Sequence, residues 1–117
     1  MTGAADIVVL IQTDPEASHK PVEGIRVALG LVSGEHRVKV VLTGKAVLLL
    51  GADAEDLVDG ELLPKYLPSL AGLIGTLYVD ENGFKEAGLD GTEYHVTALS
   101  ASGIGELIRK AERVVVF

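Results

Sequence analysis

The sequence predicts an α/β protein, a three-layer α/β/α arrangement around a five-stranded, mostly parallel sheet. Short β-branched runs alternate along the chain with stretches whose apolar residues recur at helical spacing. The first strand-like run is apolar without interruption, as a strand covered on both faces requires. Hydrophobic residues make up 48% of the chain while aromatics make up only 4%, so the core must be built from Val, Leu and Ile. Such a surplus suits a sheet covered on both sides, with some left for a subunit interface. At 117 residues the chain is long enough for one core and too short for two, which predicts a single domain over residues 1–117.

Residues 5–12, Ala-Asp-Ile-Val-Val-Leu-Ile-Gln, form the first strand. A loop over Thr13–Lys20 carries the turn signal Asp14-Pro15. From Pro21 to Val32 the residues Val22, Ile25, Ala28, Leu29 and Val32 make a helical stripe. Pro21 suits the first turn, where its missing N–H costs nothing, and Gly34 ends the helix. Arg37–Thr43 reads as the second strand. Its charged Arg37 and Lys39 place it near a sheet edge, or else let alternate residues reach solvent.

Gly44 breaks that strand, and Ala46–Leu50 reads equally as a helix or as more strand, because a short apolar run carries no period. Residues 51–60 are acidic and solvated, with room for a brief helical turn. Leu62–Ile74 bears the stripe Leu63, Tyr66, Leu67, Leu70 and Ile74, and Pro68 should kink or restart that helix. Residues 76–80 make the third strand, Glu93–Leu99 the fourth and Arg113–Phe117 the fifth. Between the last two, Ile104, Leu107, Ile108 and Ala111 line one face of a helix over Ser102–Ala111, with Ser102 as its N-cap.

The composition excludes several chemistries. With no cysteine there is no disulfide, no thiolate metal site and no cysteine nucleophile. The formal charge of −7, with ten scattered basic residues, argues against nucleic acid as a partner. His19, His36 and His95 stand in none of the standard metal-ligand spacings, so neither a metal nor any other cofactor is expected. No apolar run reaches membrane-spanning length and the start lacks a signal peptide's basic flank, which predicts a cytoplasmic protein with no membrane span.

Parallel strands joined by right-handed crossovers bring the loops after each strand to one edge of the sheet, where ligands of such folds bind. That edge gathers a candidate polar pocket of Thr13, His19, Thr43, Gly44, Lys45, Asp80, Glu81, Asn82 and Ser100. Thr43-Gly44-Lys45 could offer amide hydrogens and a positive charge to an anion, though no phosphate-loop pattern surrounds it. The run Leu77-Tyr78-Val79 stops in the turn Asp80-Glu81-Asn82-Gly83 and restarts at Phe84–Leu89, which reads equally as a solvated turn into a short helix. Asp80, Glu81 and Glu86 could do paired-carboxylate chemistry only if two of them faced one cleft.

Several segments together resemble one family. Val40-Val41-Leu42-Thr43-Gly44-Lys45-Ala46-Val47, the stretch Tyr78–Leu89, and the finish from Ser102 through Ala111-Glu112-Arg113-Val114 to Phe117 are similar, in order and spacing, to the small sulfur-relay proteins of the DsrE/DsrF/DsrH type, whose relatives in tRNA thiolation are the Tus proteins. The resemblance implies a DsrE-like fold over nearly the whole chain. Active members carry a persulfide-bearing cysteine about eight residues before the glycine matching Gly88, and that position here is Asp80. Lys45 stands where the family's turn usually holds an acid, and Ala87 where arginine is common.

An aspartate cannot hold a persulfide. The resemblance therefore implies a non-catalytic member, a structural or adaptor subunit in intracellular sulfur transfer. Its partners would be copies of itself, as a trimer or hexamer, or a cysteine-bearing relative in a hetero-oligomer. The alternatives are a small-molecule or anion-binding module on the same edge, and a hydrolase or lyase joining Asp80 to His19 or Lys45. The last requires those side chains to meet within hydrogen-bonding reach.

Overall fold

The computed structural model describes residues 3–89 and 91–117; Met1, Thr2 and Asp90 of the unit expected over residues 1–117 lie outside the described residues. The strands are β1 (Asp6–Ile11), β2 (Arg37–Leu42), β3 (Leu77–Asp80), β4 (Val96–Leu99) and β5 (Arg113–Val116). They form one five-stranded sheet in the order β4-β3-β2-β1-β5. Every pairing is parallel, so all five C-terminal ends share one edge. The helices are α1 (Lys20–Ser33), α2 (Leu63–Ile74), α3 (Glu81–Glu86) and α4 (Ala101–Lys110).

Alternation along the strands divides the core in two. Ile7, Val9 and Ile11 of β1, Val40 and Leu42 of β2, and Leu77 and Val79 of β3 meet Val22, Ile25 and Ala28 of α1 and Leu63, Leu67 and Leu70 of α2. Each Val, Leu and Ile among these is worth about 1.5–3 kcal/mol in burial where it is fully enclosed. The opposite face is smaller: Val8 and Val41 pack against Ile104 of α4, flanked by Leu10, Tyr78, Leu99, Leu107 and Ile108. One helix cannot roof five strands, and Val114 and Val116 of β5 remain exposed there.

This explains the two cations of β2. The strand lies at the centre of the sheet, not at an edge, and its burial runs from exposed at Arg37 and Lys39 to full at Val40, Val41 and Leu42. Arg37 and Lys39 stand on the α4 face of the strand's exposed first half, where they line a cleft with Leu107, Lys110 and Ala111. The alternate-residue reading holds and the edge reading does not.

Elsewhere the structure decides some of the sequence's readings and departs from others. Gly44–Leu50 is a 3-10 helix that buries Ala46, Val47, Leu49 and Leu50. Gly44 turns the chain with φ +56°, a conformation that glycine adopts without a Cβ penalty, so the strand cannot continue. Pro68 does not restart α2, which is one helix from Leu63 to Ile74 with Pro68 on its exposed side. β4 begins at Val96 instead of Glu93, because the preceding loop is pulled away: the Thr92 hydroxyl donates to the Leu50 carbonyl at 2.7 Å. The acidic stretch does hold brief 3-10 turns, at Ala54–Asp56 and Gly60–Leu62.

Of two helix starts, one matches a reading offered by the sequence and one does not. The segment after β3 is the short helix α3, so the turn-into-helix reading of Asp80–Gly83 is the correct one. At α4 the N-cap is Ser100, whose Oγ accepts from the Gly103 N–H at 3.2 Å; Ser102 lies inside the first turn, its hydroxyl 3.1 Å from that of Ser100. An N-cap must precede the first helical residue and reach the amide three positions on, which Ser100 does and Ser102 does not.

Candidate functional site

Asp80 is the last residue of β3 and the N-cap of α3. Its extended backbone leaves the strand, and its two carboxylate oxygens accept the Asn82 and Gly83 amide hydrogens, both at 3.3 Å. These bonds satisfy two of the amides that open a helix, and they fix where the carboxylate sits. Gly83 then lets α3 press onto the turn after β2. A Cβ there would stand 2.9 Å from the Gly44 carbonyl oxygen and 3.1 Å from Asp80 Oδ2, too close for any other residue without movement. Phe84 anchors the far side of α3 in the larger core.

The result is a cleft of about 430 Å³ between the β2 and β3 exits. Gly44, Lys45, Asp80 and Asn82 line it, so four of the nine residues expected at this edge come together. Glu86, one of the paired-carboxylate candidates, joins Asp80 in the same wall, while Val47, Leu48 and Ala87 supply apolar surface. The three apolar residues and Gly83 were not singled out in the sequence as site residues. The signal for Ala87 was its place where arginine is common in relatives; for Val47 and Leu48 there was none beyond the break at Gly44.

The other five candidates lie elsewhere. Thr13 follows β1, its N–H donating to the Phe117 carbonyl at 3.3 Å. Exposed His19 precedes α1 as an N-cap residue whose side chain makes no capping bond. Thr43 likewise precedes the 3-10 helix without a side-chain cap. Glu81 points outward at the start of α3, and Ser100 is engaged in capping α4. His95 is exposed ahead of β4, its carbonyl accepting from the Leu77 N–H at 3.1 Å.

Among the described residues no hydrogen bond or ion pair joins Asp80 to Lys45, His19 or Glu86. Lys45 Nζ lies 3.7 Å from Asp14 Oδ2 and 3.9 Å from Glu16 Oε1, both in the loop after β1. Among the described residues no group of three or more His, Asp or Glu side chains is placed to hold a metal ion.

The DsrE/DsrF-like family profile matches residues 5–117, the described sheet from end to end. The chain belongs to the DsrE/DsrF-like family. It lacks that family's catalytic cysteine: there is none in the sequence, and Asp80 occupies the strand exit. Persulfide transfer through its own side chains is thereby closed to this DsrE-like protein. The crystal structure of the ychN protein from E. coli has the same fold, with a TM-score of 0.80 at 16% sequence identity, covering 97% of this chain and 99% of that one. No match among curated proteins reaches significance. Among the described residues no helix is long and apolar enough to cross a membrane.

Proposed function

We propose that this DsrE-like protein is a non-catalytic, oligomer-forming structural or adaptor subunit of a cytoplasmic sulfur-transfer system. The observation that carries this reading is Asp80. It stands at the exit of β3, capping α3 at the mouth of a cleft, in a chain that has no thiol to load. Exposed Val114 and Val116 on the half-covered sheet face offer surface for a subunit contact. Its partners are further copies, as a trimer or hexamer, or a cysteine-bearing relative.

Co-expression with a cysteine-bearing family member, followed by native mass spectrometry, tests the reading. The expected result is a defined trimer or hexamer, of this chain alone or mixed. A monomer that retains no relative would sink it.

A second reading, a small-molecule-binding module, is favoured by the cleft itself, which is of ligand size. Its lining sets two carboxylates, Asp80 and Glu86, against one cation, Lys45, which disfavours an anion as the ligand.

A further inference from the structure

The cleft at Asp80 is not isolated. A second cleft of about 450 Å³ lies beside it, and Leu48 and Ala87 line both, so the two meet along that wall. Leu57 and Leu89 extend the apolar floor into the second cleft. Its rim is acidic: Glu16, Asp53 and Asp56 line it, while Asp80 and Glu86 line the first. Among the described residues Lys45 is the one cation lining either cleft, and it already faces Asp14 and Glu16. Five carboxylates and one cation thus line two adjoining clefts that share an apolar wall and together form an elongated groove.

Resting on the adaptor reading, we infer that this groove docks a basic segment of a protein partner, one that alternates Lys or Arg with aliphatic residues. The physical reasons are complementary. Carboxylates on both rims attract and orient cationic side chains, raising the encounter rate and excluding acidic segments. The leucine floor contributes burial for aliphatic side chains between them, as peptide-binding grooves do. A free small cation would use the rim alone and leave the floor wet. Asp53, Asp56 and Glu86 are exposed, and among the described residues no hydrogen bond or ion pair engages their carboxylates, which leaves them available to a visitor.

A fluorescent peptide of alternating lysine and leucine is the probe, with a lysine/serine and a glutamate/leucine peptide of equal length as comparators. Anisotropy reads affinity, and amide NMR shifts read position. The lysine/leucine peptide is expected to bind with shifts clustered at Leu48, Asp53, Ala87 and Leu89. The triple variant Asp53→Asn, Asp56→Asn, Glu86→Gln is expected to weaken binding by about tenfold, the scale of several exposed ion pairs lost together. Shifts mapping elsewhere, unchanged affinity in the triple variant, or equal binding of the lysine/serine peptide would each overturn the assignment. So would loss of self-association in the triple variant, which would make a second copy the occupant. Peptide binding in the groove with no co-purifying relative would sink the adaptor reading and leave the groove assignment standing. A relative retained without any peptide binding would do the reverse.

Discussion

Asp80 uses one carboxylate for two purposes, ending a strand and starting a helix. Removing it separates those purposes from any role in recognition. Asp80→Ala leaves the Asn82 and Gly83 amides without their acceptor, and loss of such a cap costs about 1 kcal/mol. Asp80→Asn keeps one acceptor oxygen and should lose only part of that. Urea unfolding of the two variants checks this order, and equal stability of Asp80→Ala and the native protein would refute the capping role. The sequence showed Asp80 as a strand-exit residue because the apolar run stops there. It did not show which groups the carboxylate would meet, since an acid followed by Glu-Asn-Gly reads alike as a solvated turn and as a capped helix. Lys45 was illegible for a related reason: its partners Asp14 and Glu16 come from another strand's loop, far away in sequence.

Among the elements, those buried on both faces were the most legible. Val40, Val41 and Leu42 form an unbroken apolar run because helices cover them from both sides, and β1 reads the same way. The 3-10 helix after β2 was ambiguous because its apolar run Ala46–Leu50 is short and four of those five residues are buried, which erases the periodicity that separates helix from strand. Proline was the misleading signal. Pro68 in α2 removes a hydrogen bond that its N–H would make one turn back, yet the helix continues because Leu67 and Leu70 on either side of it are buried in the core. Tertiary packing there overrides a local cost. Pro68→Ala should therefore stabilise the protein, by about 1–2 kcal/mol after allowing for the proline's restriction of the unfolded chain. Unfolding midpoints in urea would show it, and a destabilised variant would mean that the ring itself is needed for packing.

Across the whole molecule the two ends of the sheet differ in kind. The C-terminal edge carries the acidic groove, whereas the N-terminal edge ties its charges to one another. There Asp6 of β1 lies in register with Arg37 of β2, and Arg37 Nε donates to Asp6 Oδ1 at 2.6 Å. Glu112, leading into β5, accepts the Asp6 N–H at 3.1 Å and stands 3.8 Å from the same guanidinium. One exposed arginine thus links three strands. Its hydrogen bond and charge hold the Asp6 carboxyl below the usual aspartate value. In the unfolded chain that value is the ordinary one, about 3.9. Above it both states are ionised and the interaction contributes in full; as pH falls, the unfolded chain takes up its proton first, and the contribution is lost as pH drops through the lower folded value. With a formal charge of −7 at neutral pH, protonating other carboxylates relieves self-repulsion and acts in the opposite direction, so only a difference between variants isolates this interaction. Arg37→Gln should lower stability near neutral pH, with its unfolding free energy converging on that of the native protein as pH falls below about 4. Because the pair is exposed the gap should be small and should shrink further in high salt. Parallel curves across the whole acid range would mean that Arg37 acts through the packing of its aliphatic stem and that its charge does not link the strands.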